Sequence, residues 1–130
     1  AVALANIELI EREGLVEQVK NDTGPHLAER FEALSAHPLV GVAETCGFVG
    51  GLTLVKHKGS QVPFDADLGV GMICRAHCFN NGLIIRAVGD RMIISPPLVT
   101  TRAEIDELVG LIRTCLDATL ADLRAQGHLA

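Results

Sequence analysis

Leu83-Ile84-Ile85-Arg86-Ala87-Val88-Gly89-Asp90-Arg91-Met92-Ile93-Ile94 is the stretch that decides how this chain folds. Two β-rich runs, Leu83 to Val88 and Arg91 to Ile94, flank Gly89-Asp90. A Gly-led two-residue link between apolar runs is a strong hairpin signal. Pairing across that turn sets Arg86 opposite Ile93 and Arg91 opposite Val88, all on one face. Pro96-Pro97 then ends the second run, because neither residue can donate to a ladder.

Downstream of the hairpin, Thr101 and Glu104 have the spacing of a capping box. Ile105, Leu108, Val109, Ile112, Cys115, Leu116, Thr119, Leu120 and Leu123 follow as one helical stripe, which stops before Gly127. Upstream, Val70, Ile73, Cys74, His77 and Cys78 share the face of a helix that Asp65 or Asp67 can cap and Asn80-Asn81-Gly82 terminates. Leu39 to Val42 and Gly47 to Val55 read as two further strands, and His57 to Pro63 as an exposed loop. Leu4, Ile7 and Ile10 mark a first helix that Gly14 breaks. A second helical face carries Val16, Val19, Thr23, Leu27, Phe31 and Leu34, with either a kink or a junction of two helices at Gly24-Pro25.

The order is helix, helix, strand, strand, helix, hairpin, helix. It predicts one α+β domain over residues 1–130, a two-layer sandwich of a small, mostly antiparallel sheet with helices on one face. The chain opens at Ala1-Val2-Ala3-Leu4-Ala5 without Met and already in a helix-forming pattern, which reads as a segment of something longer.

Composition narrows the partners. With four Phe and no Trp or Tyr, the core must be built from Leu, Ile, Val and Ala. A net charge of −5 argues against nucleic acid and against an anionic membrane surface. No apolar run reaches the roughly 20 residues of a membrane span, and no signal segment opens the chain. Cys46, Cys74, Cys78 and Cys115 are expected to be reduced thiols, which fits a cytoplasmic setting.

Arg86 is the residue to single out for chemistry. A guanidinium on a strand end beside a turn offers a planar fork that can grip a carboxylate through two hydrogen bonds. Its ordinary alternative is pairing with an Asp or Glu at the sheet rim. Arg91, beside the turn, is expected to be solvated. Cys74, His77 and Cys78 match zinc-ligand spacing only loosely, since they sit mid-helix where free Cys is a small buried hydrophobe, and the same face lacks an oxyanion turn for a Cys–His nucleophile. Gly47-Phe48-Val49-Gly50-Gly51 leads into a strand with no Lys-Ser or Lys-Thr, so its glycines point to a bulge or close packing rather than to a phosphate loop. Lys20, Lys56 and Lys58 all lie in polar surroundings, unlike the buried lysine a Schiff base requires. No catalytic, cofactor-binding or metal-ligating residue is assigned.

Three stretches carry a family resemblance. Ala5-Asn6-Ile7-Glu8-Leu9-Ile10-Glu11-Arg12-Glu13-Gly14-Leu15 resembles the helix leading into the small domain of fold-type-I, class III (omega) aminotransferases. Asn81 to Asp90, followed by Ile94-Ser95-Pro96-Pro97-Leu98, is similar to their C-terminal signature, and Thr101 to Leu108 to the start of their last helix. The likeness spans essentially the whole chain and is nearest to the omega-amino-acid:pyruvate and amine:pyruvate branch. It implies the C-terminal small domain of a homodimeric enzyme that uses pyridoxal 5′-phosphate to move an amino group from an amino acid or amine to a keto acid such as pyruvate. The catalytic lysine and most cofactor contacts would lie in a large domain outside this chain, leaving the segment inactive and cofactor-free on its own. The resemblance also implies that Arg86 is the mobile arginine that grips the substrate carboxylate. Cys46-Gly47 stands where the family commonly has Arg-Gly, and Thr53-Leu54 where it often has Glu-Leu, as one lost ion pair or as drift. The alternative is a free-standing module that binds small carboxylates or self-associates.

Overall fold

The computed structural model describes residues 2–129, so the reading of Ala1 lies outside the described residues. Helix α1 (Val2–Arg12) is followed by α2 (Leu15–Gln18), a π-helical turn (Val19–Thr23), α3 (Gly24–Glu32) and a 3₁₀ turn (Ala33–Ala36). Strands β1 (Val40–Cys46) and β2 (Val49–Leu54), helix α4 (Val70–Asn80), strands β3 (Arg86–Val88) and β4 (Arg91–Ile94) and helix α5 (Arg102–Ala125) complete the order. The four strands form one antiparallel sheet in the order β1-β2-β4-β3. The α+β architecture is as the hairpin and helical stripes require.

Alternation along the strands sorts the two faces. Ala43, Leu52 and Met92 are neighbours in register and buried, and Leu54 and Ile94 are buried on the same face. They join Leu27 and Phe31 of α3, Val70 and Cys74 of α4, and Ile105, Ile112 and Leu116 of α5 in one core. Gly50 on this face lets Phe31 come close, since a Cβ there would lie 3.2 Å from the Phe31 ring. The other face carries Val42, Glu44, Cys46, Val49, Arg86 and Val88, all exposed.

Gly24-Pro25 produces a kink rather than a break. Proline cannot donate to the helical ladder, and the chain absorbs the defect as a π turn in which the Gly24 amide donates to the Val19 carbonyl five residues back. A Cβ on Gly24 would stand 2.3 Å from that oxygen, so glycine is required there. The buried stripe runs through Leu15, Val19, Thr23, Leu27, Phe31 and Leu34, and the expected Val16 points outward instead. On α1, the apolar residues Leu4 and Ile7 are exposed.

Three strand and cap boundaries differ from expectation. β1 extends to Cys46, and Gly47 begins no strand: at φ 56° it forms with Phe48 the two-residue turn that pairs Cys46 with Val49. Pairing in the second hairpin starts only at Arg86, because the continued register would place Leu83 and Ile84 opposite Pro96 and Ser95 at the end of β4, and Leu83 already donates its amide to Cys78 in the terminator of α4. Asp65 caps a short 3₁₀ turn (Ala66–Leu68), not α4, whose N-cap is Gly69. The capping box at Thr101 and Glu104 forms as its spacing requires.

Two buried polar residues set testable features of stability. Thr119 satisfies its hydroxyl by donating to the Cys115 carbonyl at 2.7 Å, one α-helical turn back. Thr23 sits in the π turn, where that geometry is lost, and its Oγ1 has no partner among the described residues. Thr23→Val is therefore expected to raise unfolding stability by about 1 kcal/mol; a chemical-denaturation midpoint at or below that of the wild type would contradict this. His37 is 4% exposed, accepts the Leu39 amide at Nδ1 (3.2 Å), and faces Asp117 through Nε2 (3.2 Å). Burial lowers its pKa below the ordinary 6.5 against the opposing pull of Asp117. The unfolded chain then takes the proton first, so this contribution is whole above pH 6.5 and lost as pH falls through the lower folded value. His37→Asn, which keeps an acceptor for Leu39, is expected to flatten the pH dependence of thermal unfolding between pH 7.5 and 5.5. An unchanged slope would refute the assignment to His37.

Candidate functional site

The open face of the sheet gathers the residues capable of chemistry. Glu44 of β1, Gly51 of β2, Ile93 of β4 and Arg86 of β3 form one row across all four strands. Arg86 stands opposite Ile93 and Arg91 opposite Val88, the pairing expected from the turn. The Arg86 side chain is exposed and makes no hydrogen bond or ion pair with the described residues, so the rim pairing that would have occupied it is absent.

Arg91 corrects the expectation of a solvated guanidinium. It donates to Glu44 Oε1 at 2.5 Å and to Thr53 Oγ1 at 2.9 Å, crossing β2 to do so. Gly51 makes the crossing possible: a Cβ there would lie 2.8 Å from Arg91 Nη2. Arg91, Glu44, Gly51 and Ile93 line a shallow hollow of about 290 Å³ beside Val49 and Cys46. Both partners of this ion pair are well exposed, so it contributes about 0–1 kcal/mol to stability, and its main effect is to leave Arg86 as the uncommitted guanidinium of the face. Thr53 thus has an arginine partner of its own. Cys46 pairs with Val49, four residues along β2 from Thr53, which is about 13 Å.

The hairpin that carries Arg86 is fixed at its turn. Gly89 (φ 55°) and Asp90 lie against the first turn of α4. The Asp90 carboxylate accepts the Gly71 amide at 2.9 Å, where the N-cap Gly69 has no side chain to offer, and the Asp90 carbonyl accepts the Leu54 amide at 2.9 Å. A Cβ on Gly71 would stand 2.0 Å from the Gly89 carbonyl oxygen.

The other candidates are structural. Cys74, Cys78 and Cys115 are buried between α4 and α5. The hydrogen bond with Cys74, together with burial, pushes the Cys78 thiol far above its ordinary range, and burial raises Cys115. Cys78 and Cys115 therefore remain neutral thiols rather than nucleophiles, whereas the hydrogen bond with Cys78 lowers the Cys74 thiol against its burial. His77 turns to Asp122 (2.6 Å) instead, and Cys46 lies on the opposite face of the sheet. Among the described residues, no three His, Cys, Asp or Glu side chains meet to hold a metal ion. Lys20, Lys56 and Lys58 are exposed, and Lys58 donates to the Ser35 carbonyl. Reading Gly47-Phe48 as a turn would have exposed the Glu44–Gly51 register, and with it the partner of Arg91. The Asp90–Gly71 contact has no local signal, because the two residues lie 19 positions apart.

No protein-family model matches the chain. It is 54% identical over 125 residues to the putrescine–pyruvate aminotransferase of Pseudomonas aeruginosa, covering 96% of this chain and 27% of that protein. It is 33% identical over 129 residues to a probable gamma-aminobutyrate transaminase of rice, covering 97% of this chain and 25% of that protein. The crystal structure of the omega-transferase of Vibrio fluvialis JS17 superposes with a TM-score of 0.90 at 33% identity, over 95% of this chain and 29% of that one. The chain thus spans about a quarter of the length of the curated relatives it matches.

The two glycines of the site separate in cost. Gly51→Ala displaces only the end of a flexible arginine and is expected to cost under about 1 kcal/mol, whereas Gly71→Ala meets backbone and is expected to cost roughly 2–3 kcal/mol. Urea midpoints of the two variants check the order, and equal midpoints would contradict the close packing at Gly71.

Proposed function

We infer that this chain, which belongs by sequence and fold to the aminotransferases, is the substrate-closing C-terminal small domain of a class III, pyridoxal 5′-phosphate-dependent enzyme. The observation that carries the reading is the uncommitted guanidinium of Arg86 on the open face, beside an Arg91 whose own charge is already matched by Glu44. The reaction proposed is transfer of an amino group from an amino acid or amine to a keto acid such as pyruvate. The identity to a putrescine–pyruvate aminotransferase favours a diamine donor and pyruvate as acceptor.

In this reading Arg86 grips the carboxylate of the keto acid, orients it, and swings aside for a donor that has none. A bidentate guanidinium–carboxylate pair supplies both charge and direction, and Val88 and Ile93 beside it form an apolar rim that limits water. The fold places this face opposite the helical layer, where a large domain of the same enzyme would cover it. A homodimer in the cytoplasm completes the proposal; among the described residues no helix is long and apolar enough to cross a membrane.

Pyridoxal phosphate enters as the cofactor of the intact enzyme, and the residues of this segment do not fit it. A Schiff-base lysine needs a desolvated setting or a neighbouring cation, and all three lysines are exposed. The segment is accordingly proposed to be inactive alone. A free-standing carboxylate-binding module would use the same arginine, but similarity to aminotransferases over 96% of the chain supports the enzyme reading.

Arg86→Ala in the full-length enzyme is expected to lower kcat/KM for pyruvate roughly 10- to 100-fold, as loss of a charge-assisted contact requires. Turnover with an aldehyde acceptor lacking a carboxylate should be little changed. An equal loss with both acceptors would contradict the carboxylate role.

A further inference from the structure

We propose that Asp90 is a positioning residue for Arg86, holding the β3–β4 hairpin in place by capping the N-terminus of α4. The inference rests on the reading of Arg86 as the substrate-carboxylate arginine and adds what fixes its place. β3 is only three residues long and pairs on one side alone, as the last strand of the sheet. Pairing begins at Arg86 itself; Ile85 before it is buried, but it makes no rung of the ladder, and Ile84 is 83% exposed. Three rungs of pairing on one edge are a weak support for a side chain that must meet a ligand within a fraction of an ångström.

The turn supplies what the strand lacks. Asp90 uses both of its acceptors on separate elements: its carboxylate takes the Gly71 amide of α4, and its carbonyl takes the Leu54 amide at the end of β2. A carboxylate is the favoured partner for the unsatisfied amides at a helix N-terminus. Here it replaces the side chain missing from the cap at Gly69. The contact has no slack, because Gly71 leaves no room for a Cβ beneath the Gly89 carbonyl. From this anchor Val88, Ala87 and Arg86 run back along β3, so a hairpin that pivots on its turn moves Arg86 most. Asp90 touches no substrate in this account; it acts through the hairpin.

The test uses the full-length enzyme. Asp90→Ala is expected to raise the KM for pyruvate about tenfold with little change in turnover of an aldehyde acceptor, and Asp90→Asn, which keeps an acceptor oxygen for Gly71, should restore most of the loss. If Arg86→Ala raises the KM for pyruvate and Asp90→Ala does not, the positioning role is overturned and the Arg86 reading stands. If Arg86→Ala has no effect, the underlying reading fails and the positioning role with it. A loss in Asp90→Ala that is equal for both acceptors reports general destabilisation and also overturns the proposal. Hydrogen exchange on the wild-type enzyme gives a reading that needs no variant. A carboxylate held by Arg86 should, by linkage, slow exchange of the Gly71 amide when pyruvate is saturating. An unchanged rate overturns the coupling.

Discussion

The contact between the Gly89-Asp90 turn and the first turn of α4 is the constraint on which the rest of this structure depends. It joins three elements at one point: the hairpin by its turn, α4 by the Gly71 amide, and β2 by the Leu54 amide. Glycine at 71 lets the backbones meet, and aspartate at 90 turns that proximity into hydrogen bonds. With the hairpin fixed there, β4 joins β2 in a register that buries Met92 and Ile94 under the helices and turns Arg91 and Ile93 outward. The separation of a closed, apolar face from an open, charged one follows from that register, because a one-residue slip would exchange them.

On the open face, charge is distributed unevenly in a way that matters for chemistry. Glu44 and Thr53 engage Arg91, and the bare backbone of Gly51 gives the guanidinium its path. Arg86, at the other end of the cross-strand row from Glu44, has no such partner among the described residues. An exposed guanidinium on a half-apolar surface is what the proposed carboxylate role requires, and the Arg91 ion pair keeps the carboxylate of the row, Glu44, occupied. The three His–Asp contacts along α5 (His26–Asp106, His37–Asp117 and His77–Asp122) tie the helical layer together without reaching this face.

Much of this was legible in the sequence because it is local. The Gly-Asp turn fixed the pairing of Arg86 with Ile93, the capping box fixed the start of α5, and Asn81-Gly82 fixed the end of α4. Features that need distant partners were not legible. The Glu44–Arg91 pair spans three strands, and its first step depends on reading Gly47-Phe48 as a turn rather than as the start of a strand. The π turn before Pro25 could be located but not typed, since kink and junction look alike until the Val19 carbonyl finds its donor. Arg86 was legible as a candidate from its place beside a turn; that it lacks a partner among the described residues depends on where each carboxylate lies in space.

The most direct test of the central claim is a crystal structure of the full-length protein with a keto acid bound. The account predicts the Arg86 guanidinium within about 3 Å of both carboxylate oxygens, with Arg91 still turned to Glu44. A carboxylate held by other groups while Arg86 remains in solvent would contradict it.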